Sequence, residues 1–334
     1  MSAAPGKNPP IHHFVFHWSK SGQLVSVARL KTTWTTFMPL SDNMRGAFLM
    51  MLSMAAFTLN DTFIKNVASD LPLFQAILIR GLFTTALLAV IGLYRREIRF
   101  NLPRADWRTI GLRTIGEIFA TVFFLTALFH MPIANISAIL QALPLAITLA
   151  GAVFLGESVG WRRYGAILIG FAGVMLIVRP GGDAFDNYAI YAIISVGFVV
   201  LRDLSTRRLS RQVPSLTVAL VASSAITVVG ATGTATTGWQ PVTSHAVLFL
   251  GLASGFLVCG YLVSVMVMRV GEIAFVAPFR YTGLIWAIVL GIVVFGDFPD
   301  TLTLLGSAVV VGMGLYTFYR ERQLEKAAKK RRAA

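Results

Sequence analysis

The sequence has a single cysteine, Cys259, and only 15 acidic residues among 334. One cysteine excludes a disulfide within the chain and a cysteine-rich metal site. Charged residues make up 13% of the chain, whereas ordinary soluble domains contain about 25%. The chain therefore has too little charge for a soluble protein of this length.

The sequence also lacks the short motifs that mark several enzyme classes. It contains no G-x-x-x-x-G-K-[ST] phosphate loop, no H-E-x-x-H zinc motif and no G-x-S-x-G nucleophile turn. Their absence argues against P-loop ATP hydrolysis, zinc proteolysis and serine hydrolase chemistry. We therefore expect no cofactor, no bound metal and no enzymatic activity.

Apolar residues are abundant and occur in long runs, with 56% of the chain hydrophobic. About 20 apolar residues in a helix cross a hydrocarbon core of about 30 Å. The sequence predicts an all-α integral membrane protein with ten spans, near residues 45–66, 72–94, 107–130, 133–155, 161–179, 187–206, 213–235, 245–269, 272–295 and 301–319.

The ten spans form a repeat of five. At an offset of 140 to 142 residues, polar and helix-ending residues recur: Ser53, Asp61, Lys65 and Pro72 match Ser195, Asp203, Arg207 and Pro214. An odd number of spans per unit inverts the second unit in the membrane, which is typical of secondary transporters. We divide the chain into a tail at 1–43, a first repeat at 44–180, a second repeat at 187–320 and a basic tail at 321–334.

The distribution of basic residues predicts the orientation. Most of the 29 lysines and arginines lie in the tails and in alternate loops. By the positive-inside rule, both termini are cytoplasmic and the protein lies in the cell inner membrane. The basic residues are scattered over loops, so we expect no nucleic-acid partner. Met44, directly before span 1, is an alternative start to Met1.

Two acidic residues mark equivalent positions near opposite ends of the repeats. Asp61 lies near the outer end of span 1, and Asp203 lies near the inner end of span 6. Each precedes a cation by four residues, which is consistent with an ion pair within the helix. The alternative is that the two carboxylates act as gates or coupling groups at opposite mouths of one pathway.

Charged residues deep in a membrane span are costly unless they are paired or line water. Arg80 lies well inside span 2, and Glu117 lies near the middle of span 3. Arg113 and Glu117 are one turn apart and can pair within the helix. Either these residues form a fixed ion network, or Arg80 holds an anionic substrate group and Glu117 couples transport to protons.

Spans 4 and 9 are equivalent and both contain proline. Pro144 follows Gln141, whereas Pro278 precedes Arg280 and Tyr281. Broken helices at equivalent places are typical of transporter binding sites, although a packing kink is the plainer alternative. We therefore take Gln141, Arg280 and Tyr281 as substrate-binding candidates, with Trp286, Phe119, Phe123 and Phe124 available for stacking.

Three segments carry a resemblance to a known family: A-L-F-H-M-P-I-A-N-I-S-A-I at 127–139, F-L-G-E at 154–157, and W-R-R-Y-G-A-I-L-I-G-F-A-G-V-M-L-I-V-R-P at 161–180. With the duplicated unit, the chain resembles the EamA-type drug/metabolite transporter superfamily over about residues 44–320. Asn60-Asp61 and the Arg80 helix are similar to the branch with S-adenosylmethionine uptake carriers. The 127–132 segment is similar to riboflavin carriers.

This resemblance implies ten helices, cytoplasmic termini and a central cavity shared by the halves. It implies a transporter of a small polar metabolite, such as a vitamin or nucleoside-like compound. An amino-acid or drug exporter of the same superfamily is one alternative, and a membrane scaffold or regulatory subunit is another. Proton coupling, a homodimer and the direction of transport remain open.

Overall fold

A computed structural model describes residues 41–156, 159–180, 186–210, 212–270 and 273–333. The predicted tail at 1–43 therefore lies outside the described residues except for its last three, and so does Glu157. All regular structure in the described ranges is helical. Ten helical segments are long and apolar enough to cross a membrane, which confirms the predicted fold class.

Within these ranges, all spans begin close to the predicted positions, and all except span 10 also end close to them. They are span 1, Asp42–Asn66; span 2, Leu73–Arg95; span 3, Arg104–His130; span 4, Ile133–Leu140 and Leu143–Leu155; span 5, Trp161–Val178; span 6, Tyr188–Arg207; span 7, Ser215–Thr237; span 8, Ser244–Val270; span 9, Ile273–Val276, Ala277–Tyr281, Thr282–Leu290 and Gly291–Phe295; and span 10, Thr301–Ala333. The last helix continues through the predicted basic tail, whose Glu, Lys, Arg and Ala residues favour helix.

Proline and glycine set many of the helix boundaries. Spans 2, 3, 4 and 7 each begin directly after a proline, whose fixed φ suits the approach to a helix. Spans 4 and 9 end at Gly156 and Gly296, which have φ values of 66° and 70°. These left-handed conformations favour glycine. The same stop signal therefore closes the same span in both repeats.

The packing of the spans follows the duplication. Span 1 packs on span 8, and its equivalent, span 6, packs on span 3, the equivalent of span 8. Spans 2 and 7, 4 and 9, and 5 and 10 pack as equivalent pairs. These span-to-span contacts are therefore symmetric: each contact made by one half has an equivalent made by the other. Because each unit has an odd number of spans, the second unit is inverted relative to the first.

Individual hydrogen bonds repeat in the same way. The Ser53 hydroxyl donates to the Gly260 carbonyl at 2.8 Å, joining spans 1 and 8. The Ser195 hydroxyl donates to the Ala120 carbonyl at 3.2 Å, joining spans 6 and 3. Both serines are fully buried, and each bond is the repeat equivalent of the other. Thr85 and Thr227, also equivalent, hydrogen-bond to each other across spans 2 and 7 at 3.2 Å.

Two further repeat-related hydrogen-bonded clamps join the halves near opposite ends of the bundle. The buried Gln75 side chain donates to the Gln240 carbonyl at 2.8 Å and accepts from the Gln240 N–H at 3.0 Å. Its equivalent, Thr217, accepts from the Arg99 N–H at 3.0 Å. Each clamp ties the start of one helix to a loop of the other half.

Candidate functional site

A cavity of about 370 Å³ lies between the two halves. This volume falls within the range of about 300–1,000 Å³ that is typical of small-molecule sites. Eight spans contribute to its lining, which includes Phe57, Asn60, Asp61, Arg80, Glu117, Thr121, Phe124, Ser137, Gln141, Ser195, Arg202 and Arg280. Another hollow, of about 380 Å³ between spans 9 and 10, has no charged residue in its lining. Only the first therefore combines polar and charged groups from both halves.

The structure brings five of the sequence-predicted site residues to this cavity: Asp61, Arg80, Glu117, Gln141 and Arg280. Asp203 lies beside it, because its carboxylate accepts a hydrogen bond from the lining residue Arg202 at 2.8 Å. Tyr281 and Trp286 are not in the cavity lining. The charged candidates thus come together, whereas the two aromatic candidates do not.

The helix breaks lie next to the cavity. Span 4 is interrupted at Gln141-Ala142, and span 9 passes through a 3-10 turn at Ala277–Tyr281. A Cβ placed on Gly283 would lie 3.6 Å from the Gln141 amide nitrogen and 3.7 Å from Met54. The two breaks therefore approach each other beside span 1. Backbone of this kind is tolerated within a membrane where protein or a water-filled cavity surrounds it.

Glu117 is the centre of an ion-pair network. Its two carboxylate oxygens contact Arg113 and Arg202, each at 3.3 Å. Arg202 also pairs with Asp203 at 2.8 Å, and Arg113 donates to Thr206 at 3.1 Å. The network joins spans 3 and 6, which belong to different halves. The predicted pair of Arg113 with Glu117 is present, and it is part of this larger network.

Within the described ranges, three other charged groups of the cavity have no direct ionic partner. Asp61 accepts one hydrogen bond from the Asn60 amide at 2.8 Å. Among the described residues, no carboxylate lies within 4.0 Å of the guanidinium nitrogens of Arg80 or Arg280. Arg80 is nevertheless only 8% exposed. Asp61 and Glu117 act on it electrostatically from a greater distance.

Lys65 does not form the predicted pair with Asp61. Its ammonium group donates to the carbonyls of Leu128 and Met131 at the end of span 3. It also lies 5.5 Å from the centre of the Phe295 ring. Because Lys65 caps span 3 instead, the Asp61 carboxylate stays available at the cavity.

The aromatic candidates have mainly packing contacts. The Tyr281 hydroxyl lies against Gly314 of span 10, and the Tyr281 ring contacts Phe318 with centroids 6.3 Å apart. Trp286 is 39% exposed and lies outside the lining. Phe119 and Phe123 stack on Phe198, with centroids 4.9 and 5.8 Å apart. Of the aromatic side chains proposed for stacking, only Phe124 lines the cavity.

Sequence reasoning did not assign Asn60, Ser195 or Arg202 to the site. A signal existed for Arg202, because it is a charge within a span and precedes Asp203 directly. The Asn60 carbonyl oxygen is buried and has no hydrogen-bond partner in the part of the chain that the structure describes, which no sequence pattern indicates. In the described part of the chain, no group of three His, Cys, Asp or Glu residues could hold a metal ion.

Comparisons with known proteins identify the first half as a family domain. Residues 44–179 match the EamA-like transporter family. One solved crystal structure has the same fold, with a TM-score of 0.56 at 22% identity over 83% of this chain and 99% of that chain.

Characterised relatives cover most of the chain. An S-adenosylmethionine uptake transporter from Rickettsia conorii is 22% identical over 85% of this chain and 96% of its own length. The pseudopaline exporter CntI of Pseudomonas aeruginosa is 24% identical, over 80% and 93%. A riboflavin transporter from Rhizobium johnstonii is 26% identical, over 73% and 79%. The chain is therefore a multi-pass membrane protein with an EamA-like transporter family domain at residues 44–179, and it is similar over most of its length to metabolite transporters.

Proposed function

We propose that this protein is a secondary transporter that moves a small polar organic metabolite across the cell inner membrane by alternating access. The cargo is a vitamin or nucleoside-like compound of the riboflavin or S-adenosylmethionine type. Both termini lie in the cytoplasm, where the positive-inside rule places the basic tails.

One observation carries this proposal: a cavity of about 370 Å³ between the halves is lined by charged groups of both. Intramembrane charges are costly and mark substrate or ion pathways. In secondary transporters built from inverted repeats, substrate sites lie at the repeat interface beside discontinuous helices. The similarity to uptake transporters of S-adenosylmethionine and riboflavin favours metabolites of that kind.

The ion-pair network is a candidate gate on the inner side. Arg202 on span 6 bridges Glu117 on span 3 and its own neighbour Asp203. Moving spans 3 and 6 apart breaks the contact between Arg202 and Glu117 but leaves Arg113 paired with Glu117 within span 3. Glu117 therefore keeps one partner when the contact between the halves opens, which lowers the cost of opening.

Asp61 is the better candidate for proton coupling. The Glu117 carboxylate contacts two arginines, whereas the Asp61 carboxylate accepts one hydrogen bond, from Asn60. Protonating Asp61 breaks no direct ion pair among the described residues, because its carboxylate is bonded to the neutral Asn60 amide. If transport is proton-coupled, Asp61 is the residue that we propose carries the proton.

The direct test is uptake of labelled riboflavin, S-adenosylmethionine and amino acids by auxotrophic cells that express the protein, with and without a protonophore. Rescue by one compound would identify both the cargo and the direction. Asp61→Asn and Asp203→Asn should each impair uptake while the protein still reaches the membrane. If purified protein in liposomes moves none of these compounds in either direction, the transporter proposal fails.

An exporter of the same superfamily is the second candidate, because the relatives include a pseudopaline exporter. The two directions are distinguished by loading liposomes with the labelled compound and by measuring uptake into empty ones. Export in cells is shown by a lower internal concentration of the compound when the protein is expressed.

A further inference from the structure

We propose that the hollow between spans 9 and 10 binds one acyl chain of an anionic phospholipid, whose headgroup lies at the basic end of span 10. The hollow has a volume of about 380 Å³, and its lining residues all belong to these two spans. It shares no lining residue with the polar cavity between the halves. The proposal therefore does not depend on the cargo, and only the choice of the cytoplasmic leaflet rests on the proposed orientation.

The two repeats differ at the position where the hollow lies. In the first half, Leu145 of span 4 is fully buried and packs on Gly170 of span 5, where a Cβ would lie 2.2 Å from a leucine methyl group. The repeat equivalents, at offsets of 140 and 141, are Ile285 and Val311. Val311 carries a side chain where Gly170 leaves room, and Ile285 is 60% exposed. A valine in place of a glycine thus accounts for the contact that span 9 does not make with span 10.

The lining offers few polar groups to a ligand. The hydroxyls of Thr282 and Ser307 donate to backbone carbonyls of their own helices, at 2.7 and 2.6 Å. The third hydroxyl, that of Tyr281, lies against Gly314 of span 10. A bound water needs two to four polar partners, which this lining does not provide. A hydrocarbon chain is therefore the occupant that matches the lining.

The shape of the hollow also suits a chain. On span 10 its lining residues are spaced three or four apart along one face of the helix: Leu304, Ser307, Ala308, Val311 and Leu315. This face extends about 16 Å at 1.5 Å per residue, which is comparable to half of a hydrocarbon core of about 30 Å. Ile285, Leu304 and Leu315 are exposed at its edges, so the hollow is open to the surrounding lipid.

The charges at the two ends of the hollow indicate which leaflet supplies the chain. At the outer end, the cation Arg179 is already paired with Asp300, directly before span 10. At the other end, the face that lines the hollow continues to Tyr319 and Arg322, four and seven residues after Leu315. Tyr319 is exposed, as is typical of tyrosines at a membrane interface. Arg322 lies about 10 Å beyond Leu315 along the helix and is the cation that we assign to the headgroup.

The headgroup and the chain contribute differently to binding. Basic side chains directly beside a membrane span attract anionic headgroups, and a guanidinium can bind a phosphate through two parallel hydrogen bonds. Lipid tails are as apolar as the lining, so burial of apolar surface does not favour one tail position over another. The chain is held by close packing instead. Selectivity for the lipid therefore comes from Arg322, and retention of the chain comes from the shape of the hollow.

A bound chain also contacts the interrupted part of span 9. The 3-10 turn Ala277–Tyr281 contributes Phe279 and Tyr281 to the hollow and Arg280 to the polar cavity. The acyl chain thus lies behind the turn that brings Arg280 to the cavity. Filling the hollow supports this turn from the lipid side.

The test is native mass spectrometry of the full-length protein, purified in detergent and titrated with defined phospholipids. Dioleoyl phosphatidylglycerol is anionic, dioleoyl phosphatidylcholine has the same chains without net charge, and dioctanoyl phosphatidylglycerol has the same headgroup on short chains. We expect the first bound dioleoyl phosphatidylglycerol to be held roughly fivefold or more tighter than either of the other two lipids.

Variants of the hollow test where the chain lies. Ala308 is exposed in the lining, so Ala308→Phe fills the hollow and should weaken binding of dioleoyl phosphatidylglycerol by roughly threefold or more. Ala86→Phe is the matched control, because Ala86 is exposed on span 2 outside the hollow. Val311→Gly recreates the glycine of the first half, allows Ile285 to pack on span 10, and should also weaken binding.

Variants of the basic end test the headgroup. Arg322→Gln should remove most of the preference for phosphatidylglycerol over phosphatidylcholine. Arg320→Gln is the control, because Arg320 lies two residues away on another face of the same helix and donates to Gln323. This pair of variants separates a site on one face of span 10 from a general attraction to the basic tail.

Several outcomes would overturn the lipid site. Equal weakening by Ala308→Phe and Ala86→Phe contradicts the position of the chain, and equal effects of Arg322→Gln and Arg320→Gln contradict the position of the headgroup. If the protein is a dimer that Ala308→Phe dissociates without changing lipid binding, the hollow is covered by a second copy and the proposal is wrong. These measurements involve no transport, so their failure leaves the transporter proposal unaffected.

Discussion

At the scale of single residues, Glu117 is the most consequential carboxylate because two arginines depend on it. Replacing Glu117 with Gln leaves Arg113 and Arg202 partly buried with fewer partners. We expect the protein to lose about 1–3 kcal/mol of stability, below the usual cost of breaking a buried pair because these side chains are partly exposed. A thermal melt in detergent measures the loss. Asp42→Asn is the control, since its pair with Arg45 is exposed, and an equal loss in both variants would contradict this account.

The ionisation of Asp300 leads to a prediction of how the thermal stability of the protein depends on pH. Burial opposes its ionisation, but hydrogen bonds from the Thr303 N–H and from Arg179 outweigh this effect and lower the pKa of Asp300. A lowered pKa stabilises the fold above the ordinary aspartate pKa, and this stabilisation disappears as the pH falls below about 4. Wild type should therefore melt above Asp300→Asn at neutral pH, with the difference shrinking on acidification. If the difference in melting temperature grows on acidification, folding raises the pKa of Asp300 and this prediction is wrong.

At the scale of helices, the contact between spans 2 and 7 depends on glycine. A Cβ at Gly230 would lie 2.6 Å from the Leu78 backbone nitrogen, so Gly230→Ala must push the two helices apart. We expect a loss of about 1–3 kcal/mol, as for other overpacked sites. Gly111→Ala is the matched control, because nothing lies within 4 Å of its Cβ position. That variant should be neutral or slightly stabilising in the same thermal melt.

Helix geometry also explains why Tyr281, a predicted site residue, does not line the cavity. Gln141 and Tyr281 are repeat equivalents, yet Gln141 lines the cavity and Tyr281 packs against Gly314. The 3-10 turn at Ala277–Tyr281 advances each residue by about 120°, not about 100°. Over five residues, the 3-10 turn rotates the following side chains by roughly 100° relative to a continuous α-helix. Sequence alignment of the repeats cannot detect such a rotation.

At the scale of the whole molecule, the inverted topology makes a labelling prediction. The test introduces one cysteine at a time in a Cys259→Ser background. Trp239→Cys places it between spans 7 and 8, and Phe100→Cys places it between spans 2 and 3; both native side chains are exposed. A thiol reagent that cannot cross membranes should label Trp239→Cys in intact cells and Phe100→Cys only after the cells are opened. The reverse pattern would show that the termini lie outside the cytoplasm.

The sequence by itself determined the class, the ten spans, the duplication and most of the charged candidates. These features depend on hydropathy, span length and spacing, which are local properties of the chain. Only the tertiary structure decided which charges are paired and which face the cavity without a partner. Lys65 bonds to carbonyls of span 3 and leaves Asp61 available, and Arg202 joins Glu117 to Asp203. Such pairings depend on how each helix is rotated and on what approaches it from the other half, because electrostatic and hydrogen-bond energies fall off within a few ångströms.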